Sequence, residues 1–158
     1  MYKTAILVGV SALALAPSLA AAQARTGRRR EARRRGVLII HCPSGCLDQY
    51  EGTPQRELAR QAPKVETKIP LEPWCYLDKS REPEMPIDET QPCDDRTPRE
   101  AIRFFTRQHE ELKIEPGDAI TDSAEAFYLM RQRGIGNVIV MGVHTNMCVL
   151  GRPFGTRQ

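Results

Sequence analysis

An α/β fold with a parallel sheet is predicted by one local pattern that occurs twice and by the texture of the strands within it. A basic helical stretch, a glycine and an apolar β-branched run follow one another at residues 26–41 and again at 122–143. Helix, glycine and strand in that rhythm is how parallel sheets are assembled. Both strand runs are apolar without alternation, as expected of strands covered on both faces. The 158 residues suffice for one domain, and 41% hydrophobic with 27% charged residues is an ordinary globular mix. That mix excludes multi-span membrane, collagen-like and wholly disordered chains.

The first element is read as a leader. Lys3 gives a short basic end, residues 5–19 are apolar and interrupted by Pro17, and Ala22 and Ala24 are small residues at cleavage-site spacing. This predicts a signal peptide over residues 1–24, cut near Ala24, with no stable membrane span afterwards and export to the periplasm or the exterior. Export permits disulfides. The five cysteines cannot all pair within one chain, so at least one thiol stays free.

Residues 26–35 form an arginine-rich helical stretch closed by Gly36. Seven arginines and one glutamate lie between residues 25 and 35, while residues 36–158 hold 15 Lys/Arg against 19 Asp/Glu. The folded part is thus mildly acidic, and no nucleic-acid partner is expected. The arginine run reads either as a solvated helix face or as a surface for anions. Residues 37–41, Val-Leu-Ile-Ile-His, are the first buried strand. A long loop occupies about 42–98, where nine of the twelve prolines lie between Pro43 and Pro98. A short helix at 53–61 stands out in it, with Thr53 as cap and Pro54 in the first turn. Residues 99–109 are a further helix candidate. The turn at 113–117 leads to a helix capped by Asp122 with Glu125 three residues on, ended by Gly134. The strand at 137–143 follows.

In open α/β sheets ligands bind beyond the carboxyl ends of the strands. Two such ends carry chemistry: His41-Cys42-Pro43-Ser44, and Gly142 through Cys148. Cys148 sits a few residues past a strand, where a following helix would favour its thiolate and nearby amides could receive an oxyanion. A buried, inert cysteine is the competing reading. His41, Cys42 and Cys46 are ligand types whose spacing fits no standard zinc ribbon, so no metal is expected and a disulfide competes. A Cys75–Cys93 disulfide would tie down the proline-rich loop.

The segment Val138-Ile-Val-Met-Gly-Val-His-Thr-Asn-Met-Cys-Val149 resembles the nucleophile segment of the isochorismatase-like cysteine hydrolases. The likeness extends over residues 118–154, and more loosely over 30–45. It implies a three-layer α/β/α fold on a parallel, Rossmann-like sheet, and a triad of Asp, Lys and Cys without a cofactor. It implies Cys148 as the nucleophile that forms a thioester, with Lys113 as the triad lysine. It also implies a cis peptide at Val143–His144 and an oxyanion hole from the amides of His144 and Cys148. The chain departs from the family at both ends. The place of the first, Asp-bearing strand holds the leader and the arginine run, and the chain stops soon after Phe154. The expected domain is therefore partial, over residues 25–158, and exposed sheet edges would favour self-association. Asp48, Asp94, Asp95 and Asp118 are available as the triad aspartate, and their spacing nominates none of them. The reading is a hydrolase of a C–N bond in a small amide, imide or ureide, with a small molecule as partner. The alternatives are a non-catalytic remnant and an anion-binding secreted protein.

Overall fold

Lys3–Gly9 (β1), Leu38–His41 (β2), Ala119–Ile120 (β3) and Ile135–Gly142 (β4) pair as one parallel sheet in the order β3-β2-β1-β4. This computed structural model describes residues 3–9, 19–76, 80, 106–142 and 145–158. The expected α/β class with a parallel sheet is therefore what the chain adopts. The chain runs outward from β1 through β2 to β3 and then returns to place β4 on the other side of β1. The carboxyl ends of β1 and β4 flank the point of reversal, where open sheets of this kind form their clefts.

Residues 3–9, read from sequence as part of a leader standing in the place of the first strand, form an interior strand of the sheet. β1 matches Ala5 with Leu38 and Leu7 with Ile40 on one side, and Ala5 with Val138 and Leu7 with Val140 on the other. Ala5 and Leu7 are fully buried. A short continuous apolar run meets the needs of a leader and of a central parallel strand equally well.

Register assigns the two faces. Ala5, Leu7 and Ile40 point to the side where Ala59, Ala126 and Leu129 complete the main core. These last three belong to the helices Pro54–Arg60 (α2) and Glu125–Gln132 (α3). His41, of opposite parity to Ile40, turns to the other side. There Arg33, on the helix Leu19–Arg34 (α1), shares Asp118 with it. α1 ends as expected at Gly36, whose φ is 76°. The Gly36 amide donates to Arg33 O at 2.9 Å and the Val37 amide to Ala32 O at 3.0 Å, a Schellman closure. α2 starts as expected, with Thr53 Oγ1 accepting from the Arg56 amide at 3.3 Å.

The cap of α3 differs from expectation. Asp122 makes no side-chain cap; instead Ser123 Oγ accepts from the Glu125 amide and Thr121 Oγ1 from the Ser123 amide, both at 3.3 Å. β4 also differs. It was expected to be buried on both faces, yet Val138, Ile139 and Met141 are 43%, 50% and 51% exposed. Its only strand partner among the described residues is β1, so it forms the edge of the sheet. The helix expected over 99–109 falls mostly outside the described residues, and 106–109 are not helical.

Candidate functional site

Three chain segments converge at the carboxyl edge of the sheet. β2 runs out into Cys42, Pro43 and Ser44; β3 into Thr121 and Asp122; β4 into Gly142, beyond which Cys148 lies in a single π-helical turn, Thr145–Val149. Gly142 and Cys148 are in contact. A β-carbon built on Gly142 would overlap the Cys148 β-carbon and approach its α-carbon to 3.3 Å. Only a glycine lets the turn settle onto the strand end here. Cys148 is 4% exposed.

Cys42 follows Leu38 and Ile40 in parity and joins the same core. Its amide donates to Val8 O at 2.9 Å, which continues the sheet by one residue. Burial pushes the Cys42 thiol far up; Arg152 opposes this, while Asp122 and Cys148 add to it. Cys42, Cys148, Asp122 and Arg152 are therefore electrostatic neighbours. Burial also raises the Asp122 carboxyl, against the pull of Arg152. Burial thus favours the protonated form of Asp122 more than water does.

Arg152 ties the cluster together. Its guanidinium donates to Ser44 Oγ and lies 5.5 Å from the centre of the Trp74 ring. The loop that carries Trp74 is itself held by the Cys75 amide, which donates to Gly151 O at 2.8 Å. Cys42, Cys46, Cys75 and Cys148 all carry free thiols. The expected Cys75–Cys93 disulfide involves a residue outside the described ones, Cys93. The Cys75 sulfur turns to Arg152 O at 3.9 Å and Gln158 Oε1 at 3.6 Å. Among the described residues no three His, Cys, Asp or Glu side chains gather as a metal site.

The other expected site residues fare unequally. Val143 and His144, where the cis peptide and an oxyanion-hole amide were expected, lie outside the described residues, as do Asp94 and Asp95. Lys113 is exposed, and no described contact joins it to Cys148. Asp48 is exposed. Asp118 is buried but committed elsewhere. It accepts from Arg33 Nε at 2.8 Å and Nη2 at 2.5 Å, from His41 Nε2 at 3.0 Å and from the Glu115 amide at 3.0 Å. Burial alone would raise its carboxyl, but the bonds from His41, Arg33 and Glu115 outweigh it and hold the group at about 2. So strong an acid is a poor base. His41 faces Asp118 with Nε2 and the Gln108 amide with Nδ1, 2.9 Å from Gln108 Nε2 and 3.3 Å from its Oε1. His41 is thus a structural residue. The arginine run is partly spent in the same way, since Arg33 binds Asp118 and Arg34 and Arg35 bind Glu31.

Ser44 lies at one of the two strand ends singled out from sequence, whereas Asp122, Arg152 and Trp74 carry no sequence signal for the site. Asp122 was taken for a helix cap because β3 has only two residues and left no strand signal. Had β3 been recognised, the rule that singled out Cys42 and Cys148 would have reached Asp122 as well.

Gly142→Ala tests the contact at the centre of this site. It is expected to lower stability by about 1–3 kcal/mol through overpacking. Thermal unfolding reads the loss, and the alkylation rate of Cys148 reads the displacement of the turn.

Among the described residues no helix is long and apolar enough to cross a membrane. Comparison of the chain with protein-family models, with curated proteins and with solved structures finds no match.

Proposed function

We propose that the chain is an isochorismatase-like cysteine hydrolase that cleaves the C–N bond of a small amide, imide or ureide. The observation that carries this reading is the seating of Cys148 on Gly142 at the carboxyl end of β4, beside the reversal of strand order. In the proposed reaction the Cys148 thiolate adds to the carbonyl carbon, and the C–N bond breaks as the amine takes up a proton. Water then opens the thioester, releasing the acid and restoring the thiol. Asp122 is the proposed proton donor to the leaving amine: it stands just past the carboxyl end of β3, beside Cys42 and Arg152, and burial raises its carboxyl. Lys113 has no part in the site as described. Self-association belongs to the same reading, since the β4 edge exposes Val138, Ile139 and Met141.

The test is release of ammonia or amine by the full chain from small amides and ureides. Cys148→Ala is expected to reduce turnover by at least about 1,000-fold, as loss of a nucleophile does. Turnover equal in both proteins would overturn the reading. A second reading, a site that binds a small ligand without turnover, is favoured by the 4% exposure of Cys148. It predicts ligand binding that survives Cys148→Ala, with no hydrolysis by either protein.

A further inference from the structure

We propose that Arg152 is an anion-recognition residue: the molecule that meets Cys148 carries a carboxylate, and the Arg152 guanidinium holds it. The inference rests on the hydrolase reading and adds the substrate class, an amide or ureide of a small carboxylic acid.

Arg152 lies four residues beyond Cys148, and two contacts fix its guanidinium. Trp74 offers a ring face at 5.5 Å, and Ser44 accepts one N–H. Neither is an anion. A guanidinium has five donors in a planar fork that matches a carboxylate, and a ring face against it leaves the donors at its edge available. Arg152 is half-buried. Among the described residues no carboxylate lies within ion-pair distance of it. Two other arginines that are half-buried or buried show the contrast. Arg33 is satisfied by Asp118, and Arg56 by Glu125 and Glu51. Asp122 is the nearby acid, and it acts on Arg152 through space without a hydrogen bond. A partly desolvated cation, held by Trp74 and Ser44 and with no carboxylate partner among the described residues, is suited to receive one.

The position also suits the chemistry. Arg152 bonds Ser44, two residues beyond Cys42, and both Arg152 and Cys148 act on the Cys42 thiol. A carboxylate on Arg152 would place a carbonyl a few bonds away near the Cys148 sulfur. Burial keeps Cys42 protonated and unreactive, so alkylation distinguishes the two thiols.

The test compares iodoacetate with iodoacetamide on the full chain. Both reagents alkylate a thiolate by displacing iodide, and they differ in the carboxylate. The rate at Cys148 is read by peptide mass spectrometry, and the iodoacetate-to-iodoacetamide ratio is divided by that of cysteine in a short peptide. The expected normalised ratio is about tenfold or more, the worth of one charge-assisted hydrogen bond. Arg152→Gln should bring it to about one, and Arg152→Lys should keep part of it. Because Arg152 also holds Ser44 and Trp74, the unmutated protein supplies a second measurement. Succinate should slow alkylation of Cys148 by iodoacetamide, and succinamide should not. A ratio near one in the unmutated protein, or a ratio unchanged by Arg152→Gln, overturns the inference while the hydrolase reading stands. Inertness of Cys148 to both reagents overturns both.

Discussion

A chain lacking residues 1–9 is expected to show no cooperative unfolding transition. β1 pairs with β2 through four matched residues and with β4 through seven, so its loss separates the two halves of the sheet. Leu7 and Val8 are buried, and each contributes about 1.5–3 kcal/mol by leaving water. Removal also exposes the apolar faces of β2 and β4 that rested on them. A domain of this size is stable by only about 5–15 kcal/mol, so these losses together exceed what it can sustain. Cleavage after Ala24 would have the same consequence, because it removes all of β1 and the first six residues of α1. Leu7→Asp in the full chain is the matching point variant. Circular dichroism on heating checks all three proteins. A sharp transition in the chain of residues 25–158, at the temperature of the full chain, would show that β1 is dispensable.

Asp118→Ala is expected to cost about 3–5 kcal/mol, the usual consequence of breaking a buried ion pair by removing one partner. It would strand His41, which has no exposed surface, and take the acceptor from Arg33 and from the Glu115 amide. The Arg33 side chain is 22% exposed and can turn to water, which places the effect toward the lower end. In a chain of this length that is a fall in melting temperature of roughly 10 °C. The same carboxyl gives a pH signature. Its folded value of about 2 lies below the ordinary 3.8. Its contribution is therefore complete above about pH 4 and is lost as pH falls toward 2, amounting to roughly 2 kcal/mol. Asp118→Asn should flatten the stability profile between pH 4 and pH 2. A profile equally steep in the variant would place the acid sensitivity elsewhere.

Legibility in the sequence followed the strength of local signals. Thr53 as a cap, and Gly36 and Gly134 as helix ends, depend on interactions within a few residues, and each is found as read. The sheet class followed from β2 and β4, whose apolar runs are continuous. The identity of β1 was hidden because a leader and an interior strand share one composition, and only pairing partners separate them. The exposure of β4 was hidden for a related reason. An apolar run reports what a strand could bury, and its place in the sheet decides what it does bury. Of the site, Cys148 was legible from its distance beyond the strand. Asp118 looked as available as any aspartate until Arg33, His41 and Glu115 were seen to surround it. Arg152 and Trp74 lie 78 residues apart in sequence, and nothing local joins them.

The central claim is that Cys148 is a nucleophile toward a carbonyl, and an acyl group caught on it is the most direct test. The full chain is mixed with an activated ester of a small carboxylic acid, quenched in acid within seconds and digested at low pH. Mass spectrometry then locates the acyl thioester. The account predicts an acyl group on the peptide carrying Cys148, decaying as free acid appears, with Cys42 unmodified. Labelling of Cys42 or the other thiols in preference to Cys148, or an acyl group on Cys148 that never turns over, would contradict it.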